Sequence, residues 1–386
     1  MHKFYTLRLP TPYDYIITGG GCAGLSLAMH LIASGKFSDK KILLIDQDAK
    51  KANDRTWCFW EKNPGLFEPI VFRQWQELWF HEGNFSKKIN IAPFHYKMIR
   101  GIDFYEHCLN TIAQQPNFTL QVSSVDRVFS TDKETGVVIG GEKILCNYAF
   151  NSISFQQPAP TKKNIWLLQH FKGWVIETEK DFFDSAATLM DFRIDQSHGT
   201  AFCYVLPLSA TQALVEYTLF SPSLLQKDAY DNGLLYYITQ RLKLENYKIL
   251  HKEFGVIPMT NHTFSAGEKN LINIGTAGGQ TKGSSGYTFN FIQKHSRAVV
   301  NALLKNEHPL LPAGNRRFSF YDSVLLNVLH NNRMPGKKIF SLMFQKNTPQ
   351  TVLRFLDNES SITEDLKIIS SLPTMPFLKG AMQQIF

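Results

Sequence analysis

Tyr13-Asp-Tyr-Ile-Ile-Thr-Gly-Gly-Gly-Cys-Ala-Gly24, with the segment that follows it to Asp46, decides the fold. Tyr13 to Thr18 has the length and apolar character of a buried strand, and Leu25 to Ala33 is a good helical stretch after the glycines. Ile42 to Ile45 is a second strand pattern and ends in Asp46, 22 positions past Gly24. Strand, glycine turn, helix and strand therefore carry G-x-G-x-x-G at Gly19, Gly21 and Gly24 with an acid in register. The glycines let the backbone approach a pyrophosphate, the helix N-terminus offers free N–H groups, and Asp46 can accept from a ribose hydroxyl. A tight turn of small residues with Asp46 capping a strand is the plainer alternative, but all of these parts serve one ligand, a dinucleotide.

A nucleotide-type pattern returns at Leu271 to Ile274, a strand, followed by the glycine-rich loop Gly275 to Gly286 and a helix from Tyr287 to Leu304. Such a loop, set between a buried strand and an apolar helix, brings backbone close to another part of the ligand. Between the two patterns the chain changes character. In Arg100 to Ala113, Ile102, Tyr105, Leu109 and Ile112 recur at helical spacing and mark a core stripe. Residues 118–153 read as short strands with a turn at Lys133 to Gly136, and from Trp166 to Ser221 the periodicity stays near two, which implies a second, antiparallel sheet. After Pro309 the chain reads as helices. Val324, Leu325, Val328 and Leu329 form one stripe, and Ser361-Ile-Thr-Glu364 is a capping-box start.

The length of 386 residues suits two or three domains and excludes a peptide or a disulfide-stapled toxin. Charged residues make up 19% and aromatics 13%, a greasy composition for a soluble chain. A net charge of +8 argues for an acidic neighbour, an anionic bilayer surface or nucleic acid. The lysine pairs are scattered and no RNA- or DNA-binding motif is present, so nucleic acid is not an expected partner. Five cysteines, odd in number and far apart, fit neither a disulfide framework nor a C-x-x-C metal knuckle and point to a reducing cytosol. The uncharged run from Tyr15 to Gly35 is nominally long enough to span a bilayer but reads as strand, turn and helix. Twelve histidines show no H-E-x-x-H spacing, so no metal is expected, and His95 and His170 read as partners of backbone groups.

Eight stretches together resemble one family, the flavin-dependent lycopene cyclases that close the end rings of carotenoids. They are Y-D-Y-I-I-T-G-G-G-C-A-G-L-S-L-A, N-D-R-T-W-C-F-W, Y-K-M-I-R-G-I-D-F, L-M-D-F-R-I-D-Q, F-C-Y-V-L-P-L, L-V-E-Y-T, F-G-V-I-P-M and G-T-A-G-G-Q-T-K-G-S-S-G-Y-T-F, in the family's order from residue 13 to about 300. The resemblance implies an α/β fold with α+β elements. An FAD-binding Rossmann-like domain (1–75, 96–160 and 255–305) carries an inserted antiparallel β-sheet substrate domain (76–95 and 161–254), as in aromatic hydroxylases and geranylgeranyl reductases, and a C-terminal helical segment (306–386) follows. Gly19, Gly21, Gly24, Asp46, Arg55, Gly275, Thr276 and Gly286 would hold FAD. Thr276 stands where the wider superfamily often has Asp, which counts against an ordinary hydroxylase.

The implied reaction converts lycopene, or a related linear carotene, to β-carotene without net redox change. A terminal double bond is protonated, the ring closes on a neighbouring double bond, and a proton is lost. Such a site needs a carboxylic acid kept protonated by an apolar setting, and negative charge near the cation. Glu216, inside the apolar strand pattern Ala213 to Phe220, is the expected acid, with Leu214 and Thr218 on its face. The family pattern is Glu, then Glu or Asp, then Thr, whereas this chain has Tyr217 in second place. Asp191, Glu253 or Asp103 could supply the missing carboxylate, and Asp191 is the first choice although Arg193 could simply pair with it. The resemblance also implies reduced FAD, with NADPH or another electron donor to reduce it. It implies a cytoplasmic protein peripherally associated with the inner face of the membrane, with Phe344, Phe355, Phe377 and Phe386 as candidate contacts. A hydroxylase or prenyl-chain reductase of the same fold, and a non-catalytic lipid-binding protein, are the rival readings.

Overall fold

Ile16 and Ile17 sit on opposite faces of the strand Tyr13–Thr18 and are both fully buried, which places that strand inside a sheet covered on both sides. The structure, a computed structural model, describes residues 13–154, 164–312 and 314–385. The first sheet runs Gly267–Glu268, Leu271–Asn273, Glu142–Asn151, Tyr13–Thr18, Ile42–Asp46, Phe118–Val122, with Thr135–Ile139 added antiparallel to Glu142–Asn151 and Arg127–Ser130 antiparallel to Thr135–Ile139. Its central pairings are parallel. The Tyr15 to Gly35 run is strand, turn and the helix Cys22–Ala33, and among the described residues no helix is long and apolar enough to cross a membrane.

The second sheet has the order Lys248–Thr260, Trp166–Glu177, Gln212–Ser221, Thr200–Pro207, Ala187–Asp191, Glu77–Glu82, Phe85–Asn90. All its pairings are antiparallel except that of Ala187–Asp191 with Glu77–Glu82. Lys248–Thr260 crosses the 254/255 boundary drawn from sequence, because Pro258 and Met259 continue its register against Leu168 and Leu167. A small third sheet, Thr56–Glu61, His95–Arg100 and Arg73–Trp75, joins the two larger ones.

Helices Arg316–His330, Gly336–Lys346, Pro349–Leu356, Ile362–Ser370 and Thr374–Ile385 close the chain, and Ser361 and Glu364 form the reciprocal capping box. Of the phenylalanines expected at a membrane, Phe344 is core instead, while Phe355 and Phe377 are half-buried. Phe344 is 1% exposed with its ring centroid 5.0 Å from that of Phe80, and Phe355 and Phe377 pack against the same cluster. Phe386 lies outside the described residues. The last two helices expose other apolar side chains: Ile362, Leu366, Met375, Leu378, Met382 and Ile385.

Phe289, at the start of helix Phe289–Leu304, stacks on Phe59 at 4.3 Å and meets Phe67 at 5.9 Å, so one ring ties the third sheet to the first domain's helices. Phe289→Ala is expected to lower the free energy of unfolding by about 3–5 kcal/mol, read from denaturant melts against the parent chain.

Candidate active site

Helix Cys22–Ala33 begins at Gly21 with no side-chain cap, so its first N–H groups remain free for an anion. The three fingerprint glycines do different jobs. Gly19 adopts φ +90°, and a Cβ there would lie 2.2 Å from Ser152 Oγ. Gly24 brings helix and strand together, since its Cβ would lie 2.0 Å from the Gly19 carbonyl oxygen. A Cβ at Gly21 would have no protein atom within 4 Å, because it would point into a cavity of about 460 Å³.

The same cavity is lined by Cys22, Ala23, Lys50 and Arg55 on one side and by Gly275, Thr276 and Ser285 to Phe289 on the other. Gly275 has φ +60°, and a Cβ there would lie 2.6 Å from Ala23 Cβ, so loop and helix approach without side chains between them. Helix Phe289–Leu304 also starts uncapped against the cavity. The glycine loop is pinned from behind by Lys282, 3% exposed, whose ammonium donates to Asp322 and Asn358 at 2.7 Å each. Gln169 Oε1 and Ser285 Oγ, on residues that line the cavity, are buried without a partner. Two uncapped helix starts, a side-chain-free cleft and unpaired polar atoms fit a dinucleotide such as FAD. Gly19, Gly24 and Asp46 stand behind this lining: the Asp46 carboxylate accepts from Gly20 N at 2.5 Å and from Asp48 N at 2.7 Å.

Glu216 lines the same cavity from the second sheet, on the face it shares with Leu214. Thr218 donates to its Oε1 at 2.7 Å. Burial, then the nearby Glu253 carboxylate, holds the Glu216 acid well above the usual carboxylate range. Leu206, Phe171, Trp57, Tyr96 and Tyr204 complete an apolar and aromatic wall. Tyr217, one residue on, faces the opposite way and packs with Val215 and Leu219 against Tyr230 and Leu234 of helix Lys227–Tyr236.

Asp191 is not brought to this cavity. It lies on the far face, wholly buried, where it accepts from Arg193 at 2.9 and 2.7 Å and from the Tyr237 hydroxyl at 2.8 Å. Asp103 is paired with Arg100 at 2.6 Å. The third candidate, Glu253, is beside Glu216: both lie opposite Gly173 on the strand between them. Sequence reading had no means of choosing Glu253, and it overlooked Thr56, whose hydroxyl donates to Glu253 Oε2 at 2.7 Å. The N-D-R-T-W-C-F-W stretch was the available signal. Its Asn53 accepts from Ile102 N, its Asp54 accepts from the Tyr105 hydroxyl, and its Arg55, Thr56, Trp57 and Cys58 line the cavity.

This arrangement is the fold of a class of flavoproteins. The chain superposes on a flavoprotein/dehydrogenase from Cytophaga hutchinsonii with a TM-score of 0.62 at 11% identity, over 97% of this chain and 99% of that one. It matches a geranylgeranyl bacteriochlorophyll reductase-like protein from Thermoplasma acidophilum with a TM-score of 0.61 at 12% identity, over 96% and 99%. The myxobacterial chondrochloren halogenase, described as FAD-dependent, gives 0.55 at 11%, over 97% of each. The family model described as lycopene cyclase protein matches residues 14–382, and the chain belongs to that family. A lycopene beta-cyclase from Pantoea ananas is 24% identical over 397 residues, 97% of this chain and 98% of its own. The expected α/β fold, with its Rossmann-like sheet and second sheet, is thereby borne out.

Asp191 provides a stability test of its placement. Burial works to raise its pKa, but the hydrogen bonds and charge of Arg193, aided by Tyr237, outweigh it and leave the carboxyl below its ordinary range. A depressed folded-state value means stabilisation that is present at neutral pH and lost as pH falls through that value. Asp191→Asn is therefore expected to cost about 3–5 kcal/mol at pH 7, as breaking a buried pair does. Its melting temperature should converge toward that of the parent chain below about pH 4, near the ordinary Asp range.

Proposed function

We propose that this chain cyclises the end groups of lycopene, or of a related linear carotene, to β-carotene by addition and loss of a proton, with Glu216 as the acid and reduced FAD in the adjoining part of the cavity. The observation that carries this reading is a carboxyl whose burial holds it well above the usual carboxylate range, on an apolar strand facing the same cavity as the glycine turn and the glycine-rich loop.

A carotene offers no heteroatom, so the protein can act on it only through shape, proton transfer and charge. Glu216 gives its proton to the terminal alkene carbon. The tertiary carbocation so formed is closed by the neighbouring double bond, and loss of a ring proton leaves the formula unchanged. Trp57, Tyr96, Tyr204 and Phe171 exclude water and present π faces to the cation. Cys22, Ala23, Arg55, Gly275, Thr276 and Gly286 would hold FAD, which when reduced supplies negative charge beside the cation and would be recharged by NADPH or another donor. The exposed apolar face of the last two helices, with Lys367 and Lys379 beside it, suits peripheral attachment to an anionic bilayer where a carotene resides.

Three measurements test the proposal. Expression in cells that accumulate lycopene should yield cyclised pigments on chromatography, and NADPH consumed in proportion to product would instead mark a hydroxylase or reductase. Glu216→Gln should keep its flavin and lose conversion by roughly 10²–10⁴-fold, as removal of a general acid does, when assayed with reduced flavin. Gly21→Ala should fold normally, since a Cβ there meets no protein atom within 4 Å, and Gly21→Val should release no flavin on heating where the parent chain releases FAD.

A further inference from the structure

We propose that Glu253 is a positioning residue for Glu216: across the gap left by Gly173 it accepts the hydrogen bond of the Glu216 acid and keeps the proton on that side chain until an alkene arrives. The proposal rests on the reading of Glu216 as the proton donor.

Gly173 pairs with Glu216 on one neighbouring strand and with Glu253 on the other, so the two acids are two strands apart on one face. Strands lie roughly 4.8 Å apart, and side chains separated by an intervening strand normally have that strand's own side chain between them. Here there is none. A Cβ at residue 173 would lie 2.9 Å from Glu253 Cγ, 3.1 Å from its Oε1 and 2.9 Å from Leu214 Cδ1. Gly173 is not among the glycines of positive φ, so it is required by space and not by backbone conformation.

The hydrogen bonds then assign the proton. Glu253 Oε2 accepts from Thr56, while its Oε1 is buried with no donor. Glu216 Oε1 accepts from Thr218. One proton on the remaining Glu216 oxygen supplies the missing donor, whereas two carboxylates would leave a buried acceptor unpaired at a cost of about 1–3 kcal/mol or more. Burial raises both acids, but Thr56, the Glu216 hydrogen bond, His251 and Arg55 hold Glu253 back, so the charge settles on Glu253.

Besides Glu216 and Arg55, the titratable groups on the cavity wall are Cys22, Lys50, Asp54, Cys58, Tyr96, Tyr105, Tyr204 and Tyr287. In turnover the Glu216 O–H bond breaks as a C–H bond forms, and the electron pair stays on the carboxylate. One proton enters the hydrocarbon and one leaves it, so the pair's proton count is restored. Glu253 also accounts for Tyr217. The position after Glu216 faces the opposite side of the sheet, so an acid there could not reach the cavity by the strand's own alternation.

Infrared titration of the carboxylic-acid carbonyl band on the purified protein tests this without substrate. A band that persists above the ordinary Glu range and vanishes in Glu216→Gln is expected. In Glu253→Gln its midpoint should fall by roughly one to three pH units, the usual effect of removing a neighbouring like charge. With lycopene, the upper limb of the pH profile should fall by the same amount, and Glu253→Asp, which keeps the charge, should restore part of it. Thr56→Val keeps both carboxyls and should let the pair take up its second proton at higher pH, so it serves if Glu253→Gln does not fold. An unmoved midpoint and pH limb in Glu253→Gln, or an unmoved second protonation in Thr56→Val, overturns the proposal. If the infrared shifts appear and the parent chain cyclises no carotene, the pairing stands and the functional reading fails.

Discussion

The hydrogen bond from Thr56 to Glu253 is the contact on which the site depends. Thr56 begins a strand of the small third sheet, and that strand's neighbours fix it to the nucleotide-type half: Gly101 N donates to Arg55 O, Asn290 donates to Trp60 O, and Phe59 stacks on Phe289. Glu253 belongs to the edge strand of the second sheet. One hydroxyl therefore sets a carboxyl of the second sheet relative to the glycine turn, and the cavity acquires a defined polar corner in an aromatic wall.

That corner is polar only where it must be. A buried carboxyl without charge compensation takes a proton, and the neighbouring carboxylate reinforces this. A water-filled site would screen both effects, so the bulky wall of Trp57, Tyr96, Tyr204 and Phe171 matters to the raised pKa of Glu216 as much as its carboxyl neighbour does. The same fold carries reductase-like and halogenase relatives at 11–12% identity. The likeness extends over nearly the whole chain, 96–97% of it.

Small residues divide into two kinds by what a side chain would meet. Gly19 and Gly275 have positive φ and also lie against Ser152 and Ala23, so backbone and space both demand glycine. Gly24 and Gly173 have ordinary backbones and are demanded by close approach alone, helix to strand in one case and the Glu253 side chain and Leu214 to the intervening strand in the other. Gly21 meets nothing within the protein and borders the cavity.

What the sequence determined by itself was local: the strand, turn and helix from Tyr13 to Ala33, the glycine loop before Phe289, the capping box at Ser361, and the inward orientation of Glu216 with Leu214. Each follows from a period or a turn requirement acting over a few residues. Choosing among Asp191, Glu253 and Asp103 lay beyond that reach. Ala187–Asp191 is buried on both faces, so alternation does not reveal which face meets the cavity. Glu253 and Glu216 meet only because two strands pair with Trp166–Glu177 in particular registers, set by contacts between distant segments. The extent of the second sheet to Thr260 and the burial of Phe344 were likewise decided by tertiary structure, since strand pairing and the packing of one helix on a sheet depend on partners that a single segment does not contain.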